Sequence, residues 1–206
     1  MSNKTDRRIE RTKRDFKNAC LELIKDKKNI KSITVTDIVK LANYNRTTFY
    51  VHYIDKEDLL NDIMDNALNG FISSFRDPYK KGKSTLNIQH LTSNMIKIFD
   101  YVESNSSIFS LLFDSNLFPG FQQKLCYAIE NVFKDEFEYT GQSFEDIDKY
   151  LYSRIEAYSL IGMLDFWIEQ NFKYSSKYMT EQLLLQIHYS PSIIKIKNTR
   201  SYSMDN

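Results

Sequence analysis

The chain has 206 residues, enough for one large domain or two small ones and for a sizeable core. Hydrophobic residues make up 42%, while Gly (5) and Pro (3) are scarce, so the chain is globular rather than disordered and is expected to be all-helical with short loops. The net charge of +1 hides an asymmetry: residues 1–56 hold 14 of the 28 Lys/Arg and 7 of the 27 Asp/Glu, which leaves 14 basic and 20 acidic residues for the rest. A basic head on an acidic body predicts a polyanionic partner, against the plainer reading of a solvated basic face.

Cys20 and Cys126 lie far apart and fit neither a disulfide framework nor a metal site, which predicts two buried thiols. No apolar stretch follows the basic start, so no signal peptide is expected. No apolar run approaches the roughly 18 residues a membrane span needs, so the chain is expected to be cytoplasmic and without membrane contact. The only histidines are His52, His90 and His188, without metal spacing, a Gly-rich phosphate loop or a nucleophile motif. No enzyme activity, metal or cofactor is therefore expected.

In chain order, residues 7–27 read as an amphipathic helix, with Phe16, Ala19, Cys20, Leu23 and Ile24 on one face and Lys/Arg on the other. Thr34 is suited to cap a second, short helix, with Asp37 completing a capping box. Asn43 tolerates the left-handed conformation that a tight turn after it requires. Asn45 then caps a third helix, "RTTFYVHY", whose β-branched and aromatic residues are mediocre helix formers and depend on packing. Its exposed face should carry Arg46, Thr47, Tyr50 and His52, with Phe49 turned inward against Phe16, Leu23 and Ile38. Asp55 caps a fourth helix whose stripe is Leu59, Leu60, Ile63, Ala67 and Phe71 or Ile72.

Residues 76–84 read as a linker. Helical patterns follow over 85–104 (Leu86, Ile88, Leu91, Met95, Ile98, Phe99, Val102) and 106–113. Another runs from the break at "LFPGFQQ", with Pro119 in its first turn, to about Tyr139. The longest helix is expected over 144–172 and the last over 176–189, before a polar tail. Three helices in residues 7–53, the last two short and separated by a tight turn, form the pattern of a helix-turn-helix.

These residues carry a family resemblance. "ITVTDIVKLANYNRTTFYVHYIDKEDLL" resembles the DNA-binding head of the TetR family of bacterial transcriptional regulators, with Thr34, Ile38, Thr48, Phe49, Tyr50, His52, Tyr53, Lys56 and Leu59 in register. Thr-Phe-Tyr followed six residues later by Lys and then Leu is the specific part. Asn43 stands where the family usually has Gly, and Asn45 where it usually has Ser; both substitutes suit their positions. "YSLIGMLDFWIEQNFKYSSKYM" resembles the penultimate helix of one subgroup and the turn into the last helix.

The resemblance implies a head at 1–55, a connecting helix at 56–75, a ligand-binding and dimerisation domain at 76–190 and a flexible tail at 191–206, about nine helices in all. Arg46 and Thr47 would meet base edges. Tyr50, His52 and Lys56 would grip phosphates, with Thr34 and Thr36 as further contacts and Thr48 divided between contact and capping. Arg7, Arg8, Arg11 and Arg14 would form either a flexible arm near DNA or a solvated face. The partners implied are a palindromic DNA duplex, a second copy of the chain and a small-molecule effector. Candidate pocket residues are Met95, Phe99, Phe109 and Phe113, with Tyr127, Tyr152 and Trp167. The dimer face would include Tyr158, Gly162, Asp165 and Phe166, with Leu184 and Ile187; Ala157, Ser159 and Gly162 would allow close helix approach. The implied function is a repressor released by its effector. The alternative is a protein of this fold acting as a coactivator or adaptor through another protein.

Overall fold

The computed structural model describes residues 2–79, 90–138 and 146–188, with side chains from residue 7 onward. The described residues are helical, without strands. They form α1 (Ser2–Lys27), a 3-10 turn (Ile30–Ser32), α2 (Val35–Leu41), α3 (Arg46–His52) and α4 (Lys56–Phe75). The body adds α5 (Ile98–Ser104), α6 (Ser106–Leu112), α7 (Phe121–Glu136), α8 (Lys149–Glu169) and α9 (Ser176–His188).

Three helices of the N-terminal part, α2, α3 and α4, start where their capping chemistry dictates. Thr34 and Asp37 form a reciprocal capping box on α2. Asn45 caps α3 and Asp55 caps α4 through their side-chain oxygens. Phe16, Cys20 and Ile24 of α1 are buried with Ile38 and Phe49, and α4 buries Leu59, Leu60 and Ile63 at its head end. Burial pushes the Cys20 thiol up to about 12, so it is an inert core group.

α4 continues out of the head into the body. Phe71 and Phe75 meet Phe109 and Phe133, with ring centroids 6.5 and 5.5 Å apart. Tyr101 of α5 sits against Gly70, where an added Cβ would lie 2.1 Å from its hydroxyl oxygen. A side chain at this position would force the Tyr101 ring to move. At the far end of α4, Arg76 pairs with Glu136 of α7 through two nitrogens, and Tyr79 Oη donates to the same carboxylate at 3.0 Å. α7 packs along α8, joined by Arg154 and Glu130. α9 is held by a Ser176 N–H bond to Glu103 at 3.0 Å and by Gln186 donating to Ser159 Oγ.

Several boundaries differ from the sequence expectation. α5 starts at Ile98 rather than 85, because Thr92–Met95 form a turn closed by Met95 N–H on the Thr92 carbonyl. Leu91 and Met95 therefore precede the helix, and Leu86 and Ile88 lie outside the described residues. Pro119 precedes α7; Gly120, at φ 84°, occupies its N-cap. α7 ends at Glu136. α8 is shorter than 144–172, because Asp148 caps it through bonds from the Tyr150 and Leu151 N–H groups. Its end is fixed by Asn171 and Phe172, both left-handed at φ 51° and 55°. Among the described residues the longest helix is α1, with 26 residues. The expected break at 139–143 and the tail after Pro191 fall outside the described residues.

A polar cluster joins the head to α4. Tyr53 Oη donates to Asp62 at 2.6 Å, and Lys17 lies 3.3 Å from the same carboxylate. Burial pushes the Asp62 carboxyl up, but the Tyr53 bond and the Lys17 charge outweigh it and hold it below its ordinary value. A carboxylate lowered on folding stabilises the fold above its unfolded value, and loses that contribution as pH falls through the folded one. Asp62→Asn should therefore be less stable than wild type at neutral pH, with the gap closing below about pH 4. Urea midpoints at pH 7 and 3 check this; a gap that does not change with pH would contradict it.

Candidate nucleic-acid interface

The turn between α2 and α3 is built by its residues. Asn43 adopts φ 59°. Its N–H bonds the Lys40 carbonyl and the Tyr44 N–H bonds the Val39 carbonyl, which is a Schellman ending with Asn in the glycine position. Tyr44 then fixes the turn to α1: its ring lies 5.0 Å from Phe16 and its hydroxyl donates to Asp15 at 3.0 Å. Phe49 is wholly buried, edge-on to Phe16 at 5.3 Å and 5.6 Å from Tyr53. One side of α3 is thereby locked to α1, and the opposite side faces outward.

Arg46, Thr47 and Tyr50 are exposed to solvent. The Arg46 guanidinium donates to Tyr50 Oη at 3.1 Å and lies 5.8 Å from its ring. One turn of helix thus presents an arginine fork braced by a phenol. Thr34 and Thr36, at the start of α2, are also exposed. The Thr34 oxygen accepts the Asp37 N–H, so its hydroxyl proton stays available to donate. His52 is half-buried, 6.4 Å from the Phe16 ring. Thr48 donates to Asn45 Oδ1 at 2.8 Å, while its N–H bonds the same oxygen at 2.7 Å, so its hydroxyl serves the cap of α3.

Lys56 departs from its expected phosphate-facing position. Its ammonium donates to the carbonyls of Ile30 and Ile33 at 2.9 and 3.0 Å, and its side chain is only 14% exposed. It ties α4 to the 3-10 turn. Two of its three donors are committed to the carbonyls of the 3-10 turn and of Ile33 just after it, which is the physical reason it points inward. Tyr53 is buried, and sequence reading had no signal for its Asp62 and Lys17 partners, which are single charged residues on two different helices.

In the body, Phe99, Phe109, Phe113 and Trp167 are buried and packed ring against ring. Phe99 meets Trp167 at 5.7 Å, and Phe109 meets Phe113 at 6.3 Å. Met95 and Tyr152 are half-buried. Tyr127 is 60% exposed on α7 and does not face this aromatic core. Among the dimer-face residues, Tyr158, Gly162 and Phe166 are exposed on α8. Asp165 instead accepts from Gln122 of its own chain at 3.1 Å, and Leu184 packs partly on its own core; Ile187 is half-buried. Sequence reading missed Leu151, Ile155 and Leu185, which are exposed on α8 and α9. The signal was there, because α8 is apolar on both sides and one side alone suffices for its own core.

Among the described residues no group of three or more His, Cys, Asp or Glu is placed to hold a metal, and no helix is long and apolar enough to cross a membrane. Residues 89–189 match the family model described as "Transcriptional regulator C-terminal region". An uncharacterised helix-turn-helix-type transcriptional regulator of Bacillus subtilis, YxbF, is 37% identical over 62 residues; the match takes in 30% of this chain and 16% of that protein. A TetR transcriptional regulator structure from Streptococcus agalactiae is 25% identical with a TM-score of 0.54, covering 91% of this chain and 99% of that one. The fatty acid degradation regulator FadR of Bacillus halodurans shares the fold, with a TM-score of 0.62 at 14% identity, over 85% of this chain and 93% of that one. With the capped helix-turn-helix at its N-terminus and a helical body behind it, the chain is similar to the TetR family of transcriptional regulators.

Proposed function

We propose that the chain is a dimeric, sequence-specific DNA-binding regulator that acts in the cytoplasm. The head comprises residues 1–55, the connecting helix 56–75 and the body 76–190. The observation that carries this reading is α3, locked by Phe49 on one side and bare on the other, where Arg46, Thr47 and Tyr50 stand. Arg46 suits guanine, whose two major-groove acceptors match a guanidinium fork. Thr47 suits a base edge or a thymine methyl, and Tyr50, His52, Thr34 and Thr36 suit phosphates. Lys56 acts here by holding α4 to the head. An adaptor working through another protein would have no use for this exposed reading surface.

The proposed dimer forms through α8 and α9. Leu151, Ile155, Tyr158 and Phe166 leave an apolar stripe on α8, and Leu185 extends it on α9. Gly162 lies in the middle of that stripe, and a Cβ built there would meet no atom of its own chain within 4 Å. A glycine within a helix costs about 0.5–1 kcal/mol relative to Ala, and close approach by a second copy explains it. Two copies of α3 would then read two half-sites related by a two-fold axis. Repression relieved by a small effector follows from the family resemblance; the Phe99–Trp167 aromatic core is where such a molecule would have to open space.

Arg46→Ala should relax preference at one base position per half-site, by about 1–3 kcal/mol. Titrating duplexes altered one position at a time checks this; an equal loss on every duplex would remove Arg46 from base reading. Gly162→Leu should shift the protein toward monomer in sedimentation, and an unchanged dimer would place the interface elsewhere.

A further inference from the structure

α1 does not stop at the core residues it contributes. It continues as helix to Ser2, well before Phe16, the first wholly buried side chain. The extension forms one side of a groove of about 470 Å³, whose other side is α3. Arg8 and Arg11 line it from α1, three residues apart and hence on one helix face; Thr47, Thr48 and His52 line it from α3. The floor between them is already satisfied. Thr12 donates to the Arg8 carbonyl at 3.0 Å, and the Tyr44 hydroxyl is spent on Asp15. Arg11 has a loose ion pair with Asp15 at 3.9 Å and remains 74% exposed, so its guanidinium is available at the mouth.

A helix that reads bases in the major groove is flanked on both sides by a sugar-phosphate backbone, because the groove is only about 12 Å wide. Exposed Thr34 and Thr36 stand at the start of α2, and this groove runs between α3 and α1. We propose that the groove seats one strand's phosphates, with Arg8 and Arg11 as a cationic wall facing the His52 imidazole of α3. The proposal rests on the reading of α3 as the recognition helix. Arginine suits this position, since its planar fork binds phosphate oxygens in pairs. The exposed apolar residues beside it, Ile9 and Val51, suit the apolar faces of deoxyribose. The helical α1 makes this a fixed wall, where the sequence left a flexible arm and a solvated face as alternatives.

The test compares the full chain with Arg8→Gln/Arg11→Gln, using a duplex recovered by selection and an unrelated duplex, across a fourfold range of salt. Two lost phosphate contacts per protomer, four per dimer, should reduce the log–log salt slope by about 3.6 on both duplexes. Wild type should then lose about 150-fold more affinity than the variant over that range, while the preferred sequence is unchanged. Arg8→Lys/Arg11→Lys should keep most of the slope. A control removing equal charge at exposed sites away from the groove, Lys25→Gln/Lys124→Gln, should leave it intact. An unchanged slope in the Gln variant, or an equal drop in the control, overturns the proposal while leaving α3 as reader. Failure of the folded wild type to bind any duplex overturns both.

Discussion

The contact on which the head depends is the edge-to-face packing of Phe49 on Phe16. α3 has seven residues, far below the roughly 12–15 at which an isolated helix begins to persist in water. Its Thr, Phe, Tyr and Val are mediocre helix formers, each a few tenths of a kcal/mol worse than Ala. Truncating a wholly buried Phe costs about 3–5 kcal/mol, so the single ring outweighs the summed propensity deficit of its helix. The same ring sets orientation. With Phe49 inward and the Asn45 cap fixing the start, Arg46, Thr47 and Tyr50 have no direction left except outward.

α4 carries that orientation into the body. At its head end it is held by the Tyr53–Asp62–Lys17 cluster and by Lys56 on the carbonyls of Ile30 and Ile33. At its far end it is held by Arg76 and Tyr79 on Glu136. Between them the Tyr101 phenol occupies the notch left by Gly70. A shift of α7 or α5 against α4 meets the Arg76–Glu136 pair at the far end and the Tyr101 ring beside Gly70, while the head-end bonds tie α4 to the head that carries α3.

Much of this was legible in the sequence, for identifiable reasons. Caps are local: Thr34 with Asp37, Asn45 and Asp55 announce helix starts through chemistry within three residues. The left-handed Asn43 and the buried Phe49 are likewise fixed by short-range pattern. The late start of α5 was not legible, since Leu86 to Val102 keep an apolar periodicity that extends through a turn at Thr92–Met95. Lys56 shows the other limit. Its sequence position matches a phosphate-facing lysine, but its ammonium goes to carbonyls more than 20 residues away, which no local pattern encodes. The proposed dimer stripe lies between these cases. Gly162 and Tyr158 stood out by type, whereas Asp165 turned out to be engaged by Gln122 from another helix of its own chain.

The most direct test of the account is selection from a random duplex pool with the purified full chain, followed by sequencing. The account predicts a two-fold-symmetric motif, with half-sites spaced for two copies of α3 about one helical turn, or a multiple of it, apart. A folded protein that enriches no sequence even at low salt would contradict it.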